Sequence, residues 1–181
     1  MSFAVFLDRD GVLNTAAAPG EYITTPHQLE LLPGTADALS ALRGRGFKLV
    51  VVTNQRGVAL ELMTGEELGR VHDELRRQLG EQGVTLDLIL SCPHGLDDGC
   101  LCRKPLPGMI FQATEALGID LSGSWMVGDN TTDIDAGRAA GVRTVRVATD
   151  GRGKPATEGD AEHTCRDLGE AAVYILSGSP L

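Results

Sequence analysis

The sequence predicts an α/β fold, a Rossmann-like three-layer sandwich with a mostly parallel sheet. Three observations point to it. Short, β-prone runs with almost no charge recur at residues 3–7, 47–52, 86–91, 124–127 and 144–147. A segment with helical signals follows each run, and strands that alternate with helices pair in parallel through right-handed crossovers. Polar residues then gather just after the runs, where ligands sit in such sheets. At 181 residues the chain suits one domain, residues 1–181, with a sizeable core.

The elements follow in order. Residues 3–7 form an apolar run that delivers Asp8 and Asp10, and Gly11 lets the backbone turn behind them. Residues 14–33 have no period, and Ala16-Ala17-Ala18-Pro19-Gly20 ends in a turn signal, so they read as an irregular loop. Pro33-Gly34 punctuates a helix start, and Ala38, Leu39, Ala41 and Leu42 supply its apolar stripe. Gly44 and Gly46 end it. The second strand, 47–52, finishes in Thr53-Asn54-Gln55-Arg56-Gly57. Thr64-Gly65-Glu66-Glu67 is a capping-box pattern. It opens a helix that buries Leu68, Val71, Leu75 and Leu79, with His72 as a residue at the edge of the core.

The third strand, 86–91, leads into a loop from Cys92 to Cys102. Pro107-Gly108 starts a helix with Ile110, Ala113, Thr114 and Leu117 inward. The fourth strand, 124–127, ends in Gly128-Asp129-Asn130, and a helix over 132–140 leads to the fifth strand. Residues 148–163 are polar and Gly-rich and read as a surface loop before a closing helix over 168–176. No segment is long enough for a separate cap domain.

Charge narrows the function. The net charge of −9 argues against a nucleic-acid partner, because a phosphate-backbone binder carries a basic face. No apolar stretch approaches a membrane span and no secretory leader pattern opens the chain, so a cytoplasmic, monomeric protein is expected. There, four cysteines read as metal ligands or free thiols and not as disulfides.

Two acids one residue apart, after a buried strand, are costly unless a cation sits between them, and Mg²⁺ prefers oxygen donors. The groups at the strand ends suit phosphoryl transfer. A carboxylate can attack phosphorus, and a second can move the proton of the leaving oxygen. A hydroxyl and a lysine can hold the non-bridging oxygens, and a further carboxylate completes the Mg²⁺ site. In order along the chain, Asp8-x-Asp10-Gly11-Val12, Thr53-Asn54, Lys104 and Gly128-Asp129-Asn130-Thr131-Thr132-Asp133 resemble the four motifs of the haloacid dehalogenase superfamily. The resemblance covers residues 3–147. It implies Asp8 as nucleophile, Asp10 as general acid/base, Thr53 as phosphate ligand and Lys104 as its stabiliser. It further implies catalytic Mg²⁺ on Asp8, Asp129 and the carbonyl of Asp10, with Asn130 and Asp133 supporting the metal. Arg9, Asn54, Gln55, Arg56 and Arg103 are the further candidates for substrate binding.

The loop at 92–102 offers Cys92, His94, Cys100 and Cys102, the ligand set of a closed tetrahedral Zn²⁺ site. Four protein ligands leave no open position, so this zinc is structural, and it fixes the direction of Arg103-Lys104. Cys165 lies outside the cluster as an ordinary buried or half-buried thiol. The segment Cys92-Pro93-His94…Cys100-x-Cys102-Arg103-Lys104-Pro105-x-Pro107-Gly108-Met109, with Val52-Thr53-Asn54-Gln55 and residues 150–155, resembles the heptose-bisphosphate phosphatases. That resemblance implies a sugar bisphosphate as substrate and removal of its C7 phosphate through an aspartyl phosphate. The histidinol-phosphate phosphatases share the zinc loop and are the alternative. The amino group of their substrate would want a carboxylate such as Glu21 or Glu61. A zinc-stapled binding module without catalysis is a third reading, one that has no need of the paired acids.

Overall fold

The computed structural model describes residues 2–148 and 161–178. Six strands form one sheet: β1 (Ala4–Leu7), β2 (Lys48–Asn54), β3 (Leu88–Cys92), β4 (Trp125–Gly128), β5 (Arg143–Val147) and β6 (His163–Cys165). Their order is β3-β2-β1-β4-β5-β6, and every pair is parallel. The expectation of a mostly parallel sheet therefore sharpens to an all-parallel one. Five helices make the connections and the close: α1 (Thr35–Gly44), α2 (Gly65–Glu81), α3 (Gly108–Leu117), α4 (Thr131–Ala140) and α5 (Leu168–Gly178). A single 3-10 turn, Pro26–Gln28, interrupts the loop expected over 14–33.

The four central strands, β2, β1, β4 and β5, are buried on both faces, and their alternation decides which helix each side chain meets. Val5, Leu7, Leu49, Val51, Trp125 and Val127 pack with α1, α2 and α5. Ala4, Phe6, Val50, Val52 and Met126 pack with α3 and α4 on the other face. Three layers result. Burying a Val or Leu side chain here is worth roughly 1.5–3 kcal/mol, which is why β1 and β4 carry no charge at all. Near the β5 side, Trp125 lies under the Arg143 guanidinium, 3.8 Å from its ring centroid, and meets Tyr174 of α5 edge-on.

Strand boundaries differ from expectation by one or two residues. Phe3 is half-exposed and outside β1, while Thr53 and Asn54 belong to β2 itself. Leu86 is buried but precedes β3. Thr114, expected inward, is only half-buried and turns its hydroxyl onto the Ile110 carbonyl. The end of the loop expected over 148–163 holds the start of β6; residues 150–155 lie outside the described residues. Cys165 is buried in β6, as its reading anticipated. The capping box of α2 forms: Glu67 N–H donates to Thr64 Oγ1 at 3.2 Å and Thr64 N–H to Glu67 Oε2 at 2.7 Å. His72 is buried on that helix, at the core. Among the described residues no helix is long and apolar enough to cross a membrane.

Candidate active site

Strand order places β1 at the point where the chain, having moved out to β2 and β3, returns and continues on the other side with β4. Such a switch point opens a crevice at the C-terminal strand ends. A cavity of about 760 Å³ lies there. It is lined by Asp8, Asp10, Thr53, Asn54, Arg103, Lys104, Asp129, Asn130 and Asp133, which the sequence had scattered over four segments.

Asp8 continues β1 by one rung, its N–H donating to Val127 O at 3.0 Å. That brings it beside the end of β4, where Asp129 follows. The chain then turns at Gly11, φ +82°, and a Cβ there would collide with Asp129 Oδ2, so only glycine serves. Gly128 is constrained in the same way, because its Cβ would run into Asp133. Asn130 caps α4, and Asp133 Oδ2 accepts from its N–H at 3.0 Å.

Lys104 sits at the centre. Its ammonium donates to Asp8 Oδ1 at 2.7 Å and to Val52 O at 2.7 Å, and pairs with Asp133 Oδ1 at 2.6 Å, which uses all three protons. Its backbone is bracketed by Asn54: Nδ2 donates to Lys104 O at 3.0 Å, and Lys104 N–H donates to Oδ1 at 3.0 Å. Burial opposes the charge, but Asp133 and Asp8 outweigh it and hold the ammonium above its ordinary value. The carboxylates are less well served. Burial, with Asp133 and Asp10 nearby, pushes Asp8 up to about 6 against the pull of Lys104. Burial and the charges of Asp8 and Asp133 push Asp129 up to about 7.

Oxygens of Asp8, Asp129 and Asp133 lie within 4.8 Å of one another. Three carboxylates against one ammonium leave two negative charges in a desolvated pocket. A hard divalent cation with an oxygen shell fits that deficit. Both oxygens of Asp133 are already engaged, so Asp8 and Asp129 are the free donors.

Asp10 is held differently. Arg9 Nη2 donates to both of its oxygens at 3.0 Å, Asn14 Nδ2 to Oδ1 at 2.9 Å, and Gln55 Nε2 to Oδ2 at 2.9 Å. Its open side faces the cavity. Arg9, Gln55 and Arg56 were candidates for substrate contact, and none of them lines that cavity. Arg9 is fully buried because it shares the strand alternation of Val5 and Leu7, which points it inward. Gln55 is buried for the same reason, following Val51 and Thr53. Asn14 was missed; its only sequence signal is a polar residue next to the buried Val12 and Leu13.

The cysteine loop forms one wall. Cys92 Sγ lies 3.6 Å from Cys100 Sγ and 3.6 Å from His94 Nδ1, and Cys102 Sγ lies 3.2 Å from His94 Nδ1. A tetrahedron with Zn–S bonds of about 2.3 Å has S···S edges of about 3.8 Å, so these atoms fit one small cation. Arg103 Nη1 donates to His94 O at 3.3 Å. The opposite wall, from the 16–23 loop, is mostly apolar, with Ala16, Ala17, Pro19, Tyr22 and Ile23 beside Glu21. Glu61 does not line the cavity.

The chain was compared with known proteins. A family model described as "HAD-hyrolase-like" matches residues 101–171. A protein of Pseudomonas aeruginosa named D-glycero-beta-D-manno-heptose-1,7-bisphosphate 7-phosphatase is 42% identical over 160 residues, 86% of this chain and 88% of that one. The protein of the same name from Escherichia coli K12 is 40% identical, covering 85% and 82%. Among solved structures, the D,D-heptose 1,7-bisphosphate phosphatase of B. bronchiseptica, complexed with magnesium and phosphate, superposes with a TM-score of 0.87 at 36% identity. That match covers 98% of this chain and 99% of that one.

Proposed function

The chain belongs to the D-glycero-beta-D-manno-heptose-1,7-bisphosphate 7-phosphatase family of haloacid dehalogenase-like hydrolases, and on that premise we propose that it removes the C7 phosphate of this sugar bisphosphate. The observation that carries the reading is the floor of Asp8, Asp129 and Asp133 around Lys104, short of two positive charges, beneath a cavity that Asp10 enters from the side.

Asp8 attacks phosphorus. Its bond to phosphorus forms as the bond to the C7 oxygen breaks, and Asp10 gives that oxygen a proton. Asp10 then takes a proton from water, which attacks the aspartyl phosphate and frees Asp8 and inorganic phosphate. The Thr53 hydroxyl holds a non-bridging oxygen, and Lys104 turns to another the proton it gives Asp8 in the free site. Asp8, Asp129 and the carbonyl of Asp10 would hold Mg²⁺, which supplies charge neutralisation at the phosphoryl group; Asn130 and Asp133 fix the approach of Asp129. Cys92, His94, Cys100 and Cys102 would hold a structural Zn²⁺, setting the loop that carries Arg103 and Lys104. Reduced thiols for zinc suit a cytoplasmic protein, and since one chain supplies every group used, the working unit is a monomer.

Arg103 is the second cation on the cavity wall and stays half-exposed. A guanidinium grips phosphate through paired hydrogen bonds, so it is assigned to the C1 phosphate. Asn54 touches the cavity but serves mainly to fix the Lys104 backbone. Glu21, on the opposite wall, favours histidinol phosphate as a second reading, since a carboxylate suits an amine.

The test is kcat/KM for the heptose bisphosphate and for histidinol phosphate, in wild type and Arg103→Ala, with metal analysis of the same preparation. The bisphosphate should be preferred, and Arg103→Ala should cost it about 10–100-fold while sparing histidinol phosphate. One zinc per chain should be found. Preference for histidinol phosphate would overturn the substrate; an unchanged ratio in Arg103→Ala would overturn the role of Arg103.

A further inference from the structure

We propose that Gln55 is a positioning residue that aligns Asp10 and Thr53 with each other, so that the proton of the leaving oxygen and the phosphoryl group meet their ligands together. The inference rests on the phosphatase reading above and adds a residue that does not touch substrate.

Gln55 is 1% exposed and absent from the cavity wall. Its Nε2 carries two protons. One goes to Asp10 Oδ2 at 2.9 Å and the other to Thr53 Oγ1 at 3.0 Å. The orientation of the amide follows from its neighbours, because Asp10 already accepts from Arg9 and Asn14, and an ionised carboxylate so placed takes the NH2 of Gln55 and not its carbonyl oxygen. A consequence follows for Thr53. Its Oγ1 accepts from Gln55, so its own proton remains for an oxygen in the cavity. The threonine is thereby set as a donor before substrate arrives, the state that phosphoryl oxygens require.

For Asp10 the amide closes one side of a clamp. Arg9 and Asn14 hold the carboxylate from the other sides, and both are fully buried. The remaining direction is the cavity. Gln55 is itself anchored at the backbone, its N–H donating to Cys92 O at 2.8 Å. Its amide therefore spans the groups from β1 and β2 while its backbone is tied to the end of β3.

A purely structural role and a positioning role predict different kinetics. An alkoxide leaves poorly without a proton, whereas p-nitrophenolate leaves readily. Misplacing Asp10 therefore slows expulsion of a sugar far more than of nitrophenol. Loss of phosphate binding, or of folded protein, lowers both alike, because the two substrates share the phosphoryl group and the enzyme concentration.

The experiment measures kcat/KM for the sugar bisphosphate and for p-nitrophenyl phosphate with Mg²⁺-loaded wild type, Gln55→Leu and Gln55→Met. Methionine keeps the length of the side chain. Both substrates should lose activity, with the sugar losing at least about tenfold more. A variant of lowered melting temperature is read in the same way, since the ratio cancels the folded fraction. Equal losses on both substrates, or no loss, would overturn the role of Gln55. A wild type that hydrolyses neither substrate would overturn the phosphatase reading instead.

Discussion

The two ends of the sheet handle charge in opposite ways. At the N-terminal end, Asp87 is paired with Lys48 at 2.9 Å and Arg43 at 3.1 Å, and accepts from Leu49 N–H at 2.9 Å. Burial would raise its carboxyl, but the Leu49 N–H and the two cations hold it below the usual range. One acid there has two cations. At the C-terminal end Asp8, Asp129 and Asp133 share Lys104 alone, and Asp8 and Asp129 are pushed up to about 6 and about 7. The first arrangement is complete in itself and holds strands together. The second is complete only with something added. Charge frustration marks the functional edge more sharply than burial does, since both ends have acids that are largely out of water.

The largest effect should come from removing the proposed attacking atom. Asp8→Asn is expected to abolish phosphate release while leaving the metal-free protein at least as stable as wild type, because a desolvated charge is gone. Asp10→Asn should retain a trace, down roughly 10²–10⁴-fold. Near-normal turnover in Asp8→Asn would break the comparison outright.

A second test concerns the layer beneath the functional edge. His72 is 8% exposed and its Nε2 has no hydrogen-bond partner. Burial, then Arg9 and Arg76, push it down to about 4. A group that protonates less readily when folded leaves the folded state favoured above its unfolded value. Stability is then lost as pH falls from about 6.5, by about 3 kcal/mol at pH 4. His72→Gln should flatten that part of a melting-temperature profile. An unaltered profile would place the acid sensitivity elsewhere.

The smallest effects sharpen the contrast directly. Mg²⁺ at about 100 times its dissociation constant should stabilise wild type by about 2.7 kcal/mol, or roughly 5–10 °C. Asp129→Asn should lose most of that shift. Asp87→Asn should keep it whole and start lower by about 1 kcal/mol, since its partners are substantially exposed. If Mg²⁺ rescued Asp87→Asn more than wild type, the two ends would not be independent.

Much of this was legible in the chain. Five strands announced themselves because each is an apolar run bounded by turn residues. β6 did not, because of its three residues only Cys165 is buried, which leaves no period to read. The groups that gather at the C-terminal edge of the sheet were legible because their types are chemically committed. Their second partners were not. Arg9 and Gln55 look like substrate ligands by type, and only the alternation of β1 and β2, carried past the strand ends, turns them inward. The Asn54 bracket on Lys104 joins residues fifty apart and leaves no local trace.

The position of β1 has a consequence for synthesis on the ribosome. The strand that leads to the proposed nucleophile is made before the rest of the sheet, yet it pairs with β4 through Val5 and Trp125, 120 residues later. Asp129 and Asp133 emerge only after that pairing partner. A growing chain thus carries Asp8 without the neighbours that complete the pocket until Asp129 and Asp133 have been added. Catalytic competence arrives late and at one stroke, when a contact of high sequence separation closes. The order of synthesis thus leaves the pocket incomplete until β4 and the start of α4 have been made.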